Sequence, residues 1–308
     1  KSVLVVYDYD GSENFRMDLK KDLDINRLKG LEIDSHGNIW LFSYNGDIHV
    51  LNNDYVSKKS FSYLGVDEVN DCISINNDDN LFYYCNYYQD NNLGLLVFEY
   101  NSNNLPEYID YYSISQNENF IDLNYAEESL YFTTDGGVYS ANINSDLKLP
   151  WDSSIQIDLD ILGAIEFPEI LFLVNNNSQI SIIDKENNVV REFEFNADDF
   201  VDATIVDDYL ALATKTRLST YSSDYEEINS SSIEFSAYTS FVSDGYNIAA
   251  SIKNQGFKLG DISNLFLQHI LSNSTPSIDA YNTIRLLDSG DLVGVGVGVD
   301  EDGDARNG

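Results

Sequence analysis

The stretch Leu31–Asn52, LEIDSHGNIWLFSYNGDIHVLN, constrains this chain more than any other. Two runs of alternating apolar residues, Ile39–Tyr44 and Asp47–Asn52, are joined by Asn45-Gly46, and a shorter run ends before them at Ile33-Asp34. A period of two marks half-buried strands. Asn-Gly between two such runs is a strong hairpin signal, because both central residues of a type I′ turn need positive φ. The segment therefore predicts three successive strands of one small antiparallel sheet.

The same phrase recurs down the chain: LEID-SHGN-IWLF at Leu31, CISI-NNDDN-LFYY at Cys72, FIDL-NYAEES-LYFT at Phe120, AIEF-PE-ILFL at Ala164, ATIV-DD-YLAL at Ala203, TSFV-SDGY-NIAA at Thr239 and TIRL-LDSGD-LVGV at Thr283. From Ile33 through Ile73, Leu123, Ile165, Ile205 and Val242 to Leu286 the steps are 40, 50, 42, 40, 37 and 44 residues. Steps of about 40–50 are those of four-stranded propeller blades. Third strands follow at Leu95–Tyr100, Val138–Asn142, Ile180–Asp184, Leu218–Ser222 and Phe257–Asp261; fourth strands follow at Tyr108–Ser113, Ile155–Leu159, Val189–Phe195, Ser231–Phe235 and Leu265–Leu271.

After Leu292–Val299 the chain has no third or fourth strand left, while Ser2–Asp8 and Phe15–Leu19 are two strands without a first or second. Pairing the two ends removes both exposed edges. The expectation is an all-β, seven-bladed β-propeller whose closing blade is composite. The alternative is six blades, with Thr239–Ala250 as the spurious repeat. Residues 1–299 would form a single domain and 300–308 an acidic tail or the start of a linker. Glycines alternating with valines in GVGVGV, Gly294–Val299, suit close backbone packing on one face.

Composition agrees: the chain is 43% hydrophobic and 13% aromatic, enough for a full core. Its 52 acidic and 17 basic residues give a formal charge of −35. Such a surface repels phosphate backbones and anionic membranes, which excludes nucleic acid as the natural partner. A protein or a neutral glycan fits better, although acidity also serves solubility. No run approaches the ~18 apolar residues of a membrane helix. Strand-like sequence begins at Ser2 with no leader, so an upstream segment is expected to have been cleaved or left out.

Few residues suggest chemistry. Asp300, Asp302 and Asp304 resemble the first half of a calcium loop; Ala305 stands where glycine is needed and no bidentate Glu follows. A solvated acidic tail is the plainer reading, and no cofactor other than calcium is suggested. His36, His49 and His269 have no metal-site spacing. If Asp78-Asp79 is a two-residue turn, Cys72 falls opposite Cys85 and the two can form a cross-strand disulfide, as suits a secreted protein. Asn-x-Ser/Thr at Asn176, Asn229 and Asn273 is expected by chance in so Asn-rich a chain. Tyrosines cluster at Tyr83, Tyr84, Tyr87, Tyr88, Tyr108, Tyr111 and Tyr112. Most can fill packing between blades. The segment Tyr87-Tyr88-Gln89-Asp90-Asn91-Asn92 reads as a long link between strands, projecting from one rim and able to stack on sugars or anchor a protein.

The units IDSHGNIWLFSYNGDIHVL and ESLYFTTDGGVYSANI resemble the repeats of bacterial secreted propellers: the sensor propellers of two-component regulators and the PorZ propeller of type IX secretion. They are also similar to streptogramin lyases, whose blades carry a D-x-x-G-x-Φ-W phrase like Asp34–Trp40. The lyase resemblance implies histidines near the propeller axis with a metal, whereas the three histidines here are scattered. The combined expectation is a non-enzymatic extracellular or cell-surface module that binds a protein or glycan. The alternatives are a glycan hydrolase or lyase using channel carboxylates, and a subunit of a surface filament.

Overall fold

The computed structural model describes residues 2–8, 12–62, 72–77, 80–89, 91–101, 103, 105–126, 128–142, 152–155, 157, 159–167, 169–233, 238–243, 245–252, 256–261, 264–270, 278–286 and 292–298. It is an all-β propeller. The strands are β1 (Ser2–Tyr7), β2 (Glu13–Asp18), β3 (Leu28–Ile33), β4 (Ile39–Ser43), β5 (Asp47–Leu51), β6 (Ser57–Ser62), β7 (Cys72–Asn77), β8 (Asn80–Gln89), β9 (Asn92–Tyr100) and β10 (Pro106–Gln116). They continue as β11 (Phe120–Ala126), β12 (Ser129–Thr134), β13 (Gly137–Asn142), β14 (Asp152–Ile155), β15 (Asp160–Glu166), β16 (Ile170–Asn176), β17 (Gln179–Ile183), β18 (Val189–Asn196) and β19 (Phe200–Val206). The last are β20 (Tyr209–Thr214), β21 (Arg217–Tyr221), β22 (Glu227–Ser232), β23 (Tyr238–Ser243), β24 (Asn247–Ile252), β25 (Gly256–Asp261), β26 (Asn264–Ile270), β27 (Ile278–Leu286) and β28 (Leu292–Gly298).

The expected count of seven blades is corrected to six. Six blades are built from four consecutive strands each: β3–β6, β7–β10, β11–β14, β15–β18, β19–β22 and β23–β26. The seventh repeat supplies only β27 and β28 and completes no blade of that succession; its sheet runs β2-β1-β28-β27 and takes two strands from each end of the chain. The repeat at Thr239–Ala250 is not the spurious one, since β23 and β24 pair in register, Phe241 opposite Ala250. In β28, Gly294 and Gly296 lie opposite Val5 and Val3 of β1.

Local chemistry sets the details. At Asn45-Gly46 the hairpin forms, but with a three-residue loop: Gly46 is at φ +80° and its N–H donates to the Ser43 carbonyl at 3.1 Å. That is the type I turn closed by a left-handed glycine, the next most common hairpin after type I′. Between β2 and β3 the chain makes one short helix, α1 (Leu19–Leu23), where a strand end is expected from the sequence. Asp18 caps it by accepting from the Lys21 N–H at 3.2 Å.

The chain divides into two compact units, Lys1–Ile33 with Asp198–Gly308, and Asp34–Ala197. Within Asp34–Ala197, one face of β8 and β9 packs on Trp40, Phe42, Ile48 and Val50 through Tyr83, Cys85 and Phe98. The other face packs on Leu123, Leu130 and Phe132 through Phe82, Tyr84 and Val97. Within the other unit, Val206, Ala211 and Leu218 pack on Phe241, Ile248 and Ala250. The alternation of β8 and β9 thus feeds two inter-blade layers, as a propeller sheet buried on both faces requires.

Candidate functional site

The tyrosine-rich blade β7–β10 is held by two devices. Cys72 and Cys85 are register partners and form a disulfide with Cα atoms 4.1 Å apart. Their approach fits the closer, non-hydrogen-bonded type of antiparallel pair. The second device is Asp34, whose buried carboxylate gathers donors from the D-x-x-G-x-Φ-W phrase. It accepts from the backbone N–H groups of His36 and Asn38, both at 2.9 Å, from Asn38 Nδ2 at 2.9 Å and from Trp40 Nε1 at 2.8 Å. The Tyr100 hydroxyl, from the end of β9, donates to the same carboxylate. His36 stacks on Tyr100 with ring centroids 5.0 Å apart. These donors account for Asp34 as a structural clasp between two blades.

The segment 87–92 is not an extended loop. Strand β8 continues through Cys85-Asn86-Tyr87-Tyr88 to Gln89, which pairs directly with Asn92, so the connection is the two residues 90 and 91. Asn91 adopts φ +64°, a left-handed conformation that Asn tolerates. Tyr87 is 3% exposed, and burial, then Tyr111 and Tyr108, raise its hydroxyl pKa. Tyr88 is half-buried and packs against the other face of the blade, its hydroxyl 3.4 Å from Asn91 Oδ1. The Asn91 carbonyl accepts from the Asn117 N–H at 2.9 Å, which sets this hairpin tip beside the end of β10. Asp90 lies outside the described residues, as do Asp300, Asp302 and Asp304.

The exposed aromatic surface is on β10 instead. Tyr111 is 58% exposed, Ile109 41% and Tyr108 38%. Register explains their grouping. Tyr108 opposes Phe98, Asp110 opposes Val97 and Tyr111 opposes Leu96, so Ile109 is the extra residue of a β-bulge. The bulge brings Tyr108 and Tyr111 onto one face, which strict alternation would forbid. Each stands on a buried ring: Tyr108 meets Phe98 edge-on at 6.0 Å, Tyr111 meets Tyr87 edge-on at 6.1 Å, and Phe98 meets Trp40 at 5.0 Å. Burial, then Asp110 and Tyr111, raise the Tyr108 pKa. Glu107 and Asp110 flank these rings and are exposed. From Ser60 through Leu147 the sequence contains no lysine, arginine or histidine, so β7–β10 supply no basic residue of their own to offset Glu107 and Asp110.

One first-strand carboxylate also stands out. Asp122, on β11, accepts from the backbone N–H groups of Leu123 and Ala164, both at 2.9 Å, and from Asn124 Nδ2 at 2.7 Å. Asn124 Nδ2 also donates to the Ala164 carbonyl at 3.0 Å. The two side chains therefore satisfy both polar groups of one β15 residue. Burial pushes the Asp122 carboxyl up to about 6, with these hydrogen bonds opposing it. Among the described residues no group of three or more His, Cys, Asp or Glu could hold a metal ion. His36 sits in a turn, His49 on β5 and His269 on β26; burial lowers the His49 pKa against the opposing effect of Asp47.

No protein-family model matches the chain, and no curated protein matches it. Solved structures do. A streptogramin B lyase is 12% identical with a TM-score of 0.61, covering 89% of this chain and 95% of that one. The virginiamycin B lyase of Staphylococcus aureus, in a catalytically inactive histidine-to-alanine form with quinupristin, is 12% identical with a TM-score of 0.56, covering 88% and 94%. The extracellular domain of a hybrid two-component system from B. thetaiotaomicron is 15% identical with a TM-score of 0.60, covering 89% of this chain and 38% of that one. At such identities the likeness establishes the propeller fold.

Proposed function

We propose that this chain is a non-enzymatic, extracellular or cell-surface β-propeller that binds a protein or a neutral glycan through β10, with residues 1–299 acting as one domain. The observation that carries this reading is the gathering of Tyr108, Ile109 and Tyr111 on one exposed strand. Large amphipathic side chains seated on buried rings lose little entropy on binding and are the residues that dominate interfaces. The Cys72–Cys85 disulfide supports an oxidising compartment, and likeness to a domain described as extracellular points the same way. The proposed surface continues to Tyr88, Asn91 and Asn92, the last two meeting the Gln116–Asn117 end of β10, while Tyr87 packs against Tyr111.

The test is a Tyr108→Ala/Tyr111→Ala variant, with the melting curve as a check on folding. Binding of neutral oligosaccharides and of cationic peptides to the wild-type chain, weakened in the variant, supports the reading. Equal binding by both proteins removes β10 as the site.

The competing reading, a glycan hydrolase or lyase, has in its favour the raised pKa of Asp122, the property of a general acid. Turnover of any oligosaccharide in the same panel, lost in Asp122→Asn, would place it first. The lyase form of that reading is weakened by the histidines, none of which lies on the first strand of a blade.

A further inference from the structure

We infer that β10 is the acceptor edge for an extended, basic segment of a partner protein, which adds to the sheet β10-β9-β8-β7 as a further strand. This rests on the reading of β10 as the binding surface and names the class of partner. Among the described residues β10 pairs with β9 alone, so one side of its backbone offers main-chain donors and acceptors; the Tyr111 N–H there donates to Asp110 Oδ1 at 2.8 Å, a local bond that an added strand would replace. Strand addition uses such an edge for affinity, and side-chain contacts on alternate positions for selectivity.

Three observations single out this edge. Among the described residues it is the longest fourth strand, 11 residues, against 6 in β6, 4 in β14, 8 in β18, 6 in β22 and 7 in β26. Three other edges carry the basic residues that deter strand pairing: Arg16 on β2, Lys58 and Lys59 on β6 and Arg191 on β18. On β10 there is none; PEYIDYYSISQ holds Glu107 and Asp110 instead. Finally, Tyr108 and Tyr111 share one face and Asp110 faces the other. A strand laid along Asp110–Ser113, between the two bulges, would meet the Tyr111 ring on one side and the Asp110 carboxylate beside Tyr112 on the other. Alternating apolar and Lys or Arg residues complement that pattern, and the lack of basic residues from Ser60 through Leu147 extends the attraction beyond the contact.

The experiment uses the full chain and an array of synthetic peptides of about nine residues. Lys or Arg alternates with Val, Ile, Thr or Tyr, and a matched array carries Glu in place of the basic residues. The basic array is expected to bind and the acidic one not. Affinity should fall about tenfold or more in Tyr108→Ala/Tyr111→Ala, as hot-spot truncation does, and should weaken with added salt. Glu107→Gln/Asp110→Asn, which keeps size and hydrogen-bonding capacity, should weaken only the charge-dependent part. N-methylation of alternate peptide amides should abolish binding in one phase and spare it in the other.

Binding that survives methylation in both phases, or equal binding of the acidic array, overturns strand addition. If no peptide binds but neutral oligosaccharides bind the wild type and not the tyrosine variant, the inference falls while the β10 surface stands. If the tyrosine variant changes the binding of no probe, the surface itself falls.

Discussion

The ring of Tyr87 fills the space that a side chain at Gly94 would need. A β-carbon at Gly94 would lie 2.4 Å from Tyr87 Cε1 and 2.3 Å from the Tyr112 carbonyl oxygen. The two residues are partners across β8 and β9, so the aromatic covers its glycine neighbour and meets Tyr111 with the ring planes 81° apart. Gly94→Ala would push the ring and the β10 backbone apart. It should cost about 1–3 kcal/mol, the usual penalty of overpacking, read as a lower urea midpoint, and should alter the near-UV tyrosine signal. An unchanged midpoint would mean that β10 yields freely.

The disulfide should matter for stability. Cys72 and Cys85 are 13 residues apart in sequence, and closing a loop of about that size restrains the unfolded chain by about 3 kcal/mol in the chain-entropy model. Protein that has been unfolded, reduced and refolded under reductant should therefore lose about 2–3 kcal/mol relative to the oxidised form. Denaturant titrations of the two forms check this; coincident curves would refute it.

The same cysteines show how far the sequence could be read. Placing a two-residue turn at Asp78-Asp79 fixed the register of β7 and β8, because side-chain alternation leaves no freedom once a turn length is known. Repeat phrases likewise located the first two strands of every unit. Edges were harder. Expected fourth strands at Ile155–Leu159 and Ser231–Phe235 lie instead at β14 and β22, a few residues earlier, since solvated edge strands have no hydrophobic pattern to enforce. The run Tyr87–Asn92 reads as a long link, yet β8 carries its pairing past the fully buried Asn86 through Tyr87 and Tyr88 to Gln89. The bulge at Ile109 had no signal in the sequence, and it is what sets Tyr108 beside Tyr111.

Asp34 supports a third prediction. Its two oxygens are shared among the N–H groups of His36 and Asn38, the Asn38 amide, Trp40 and Tyr100. Asp34→Asn turns one acceptor into a donor and leaves buried donors facing an NH₂ group. An unsatisfied buried group costs about 1–3 kcal/mol, so a total of about 2–4 kcal/mol is expected. Trp40, fully buried against Tyr83 at 4.4 Å, is the reporter: its emission should shift to the red in the variant. Wild-type emission and stability would show that the clasp is dispensable.

The folded-state pKa of Asp122 is raised by burial from the ordinary 3.8 to about 6, so the folded chain holds this proton more tightly than the unfolded one. The stability that follows is fully present below pH ~4 and is lost as pH rises through about 6. Near pH 7 the charged carboxylate therefore opposes folding relative to its protonated form, by roughly 1–3 kcal/mol at the usual 1.4 kcal/mol per unit. Asp122→Asn cannot titrate. It gives up one acceptor, a cost that does not vary with pH, but it should be free of the decline between pH 4 and 6. The chain's many other carboxylates shape the absolute curve, so the quantity to measure is the difference in unfolding free energy between wild type and variant. That difference should move in favour of Asp122→Asn as pH rises from 4 to 7. A constant difference would mean that the Leu123, Asn124 and Ala164 donors outweigh burial at this carboxyl.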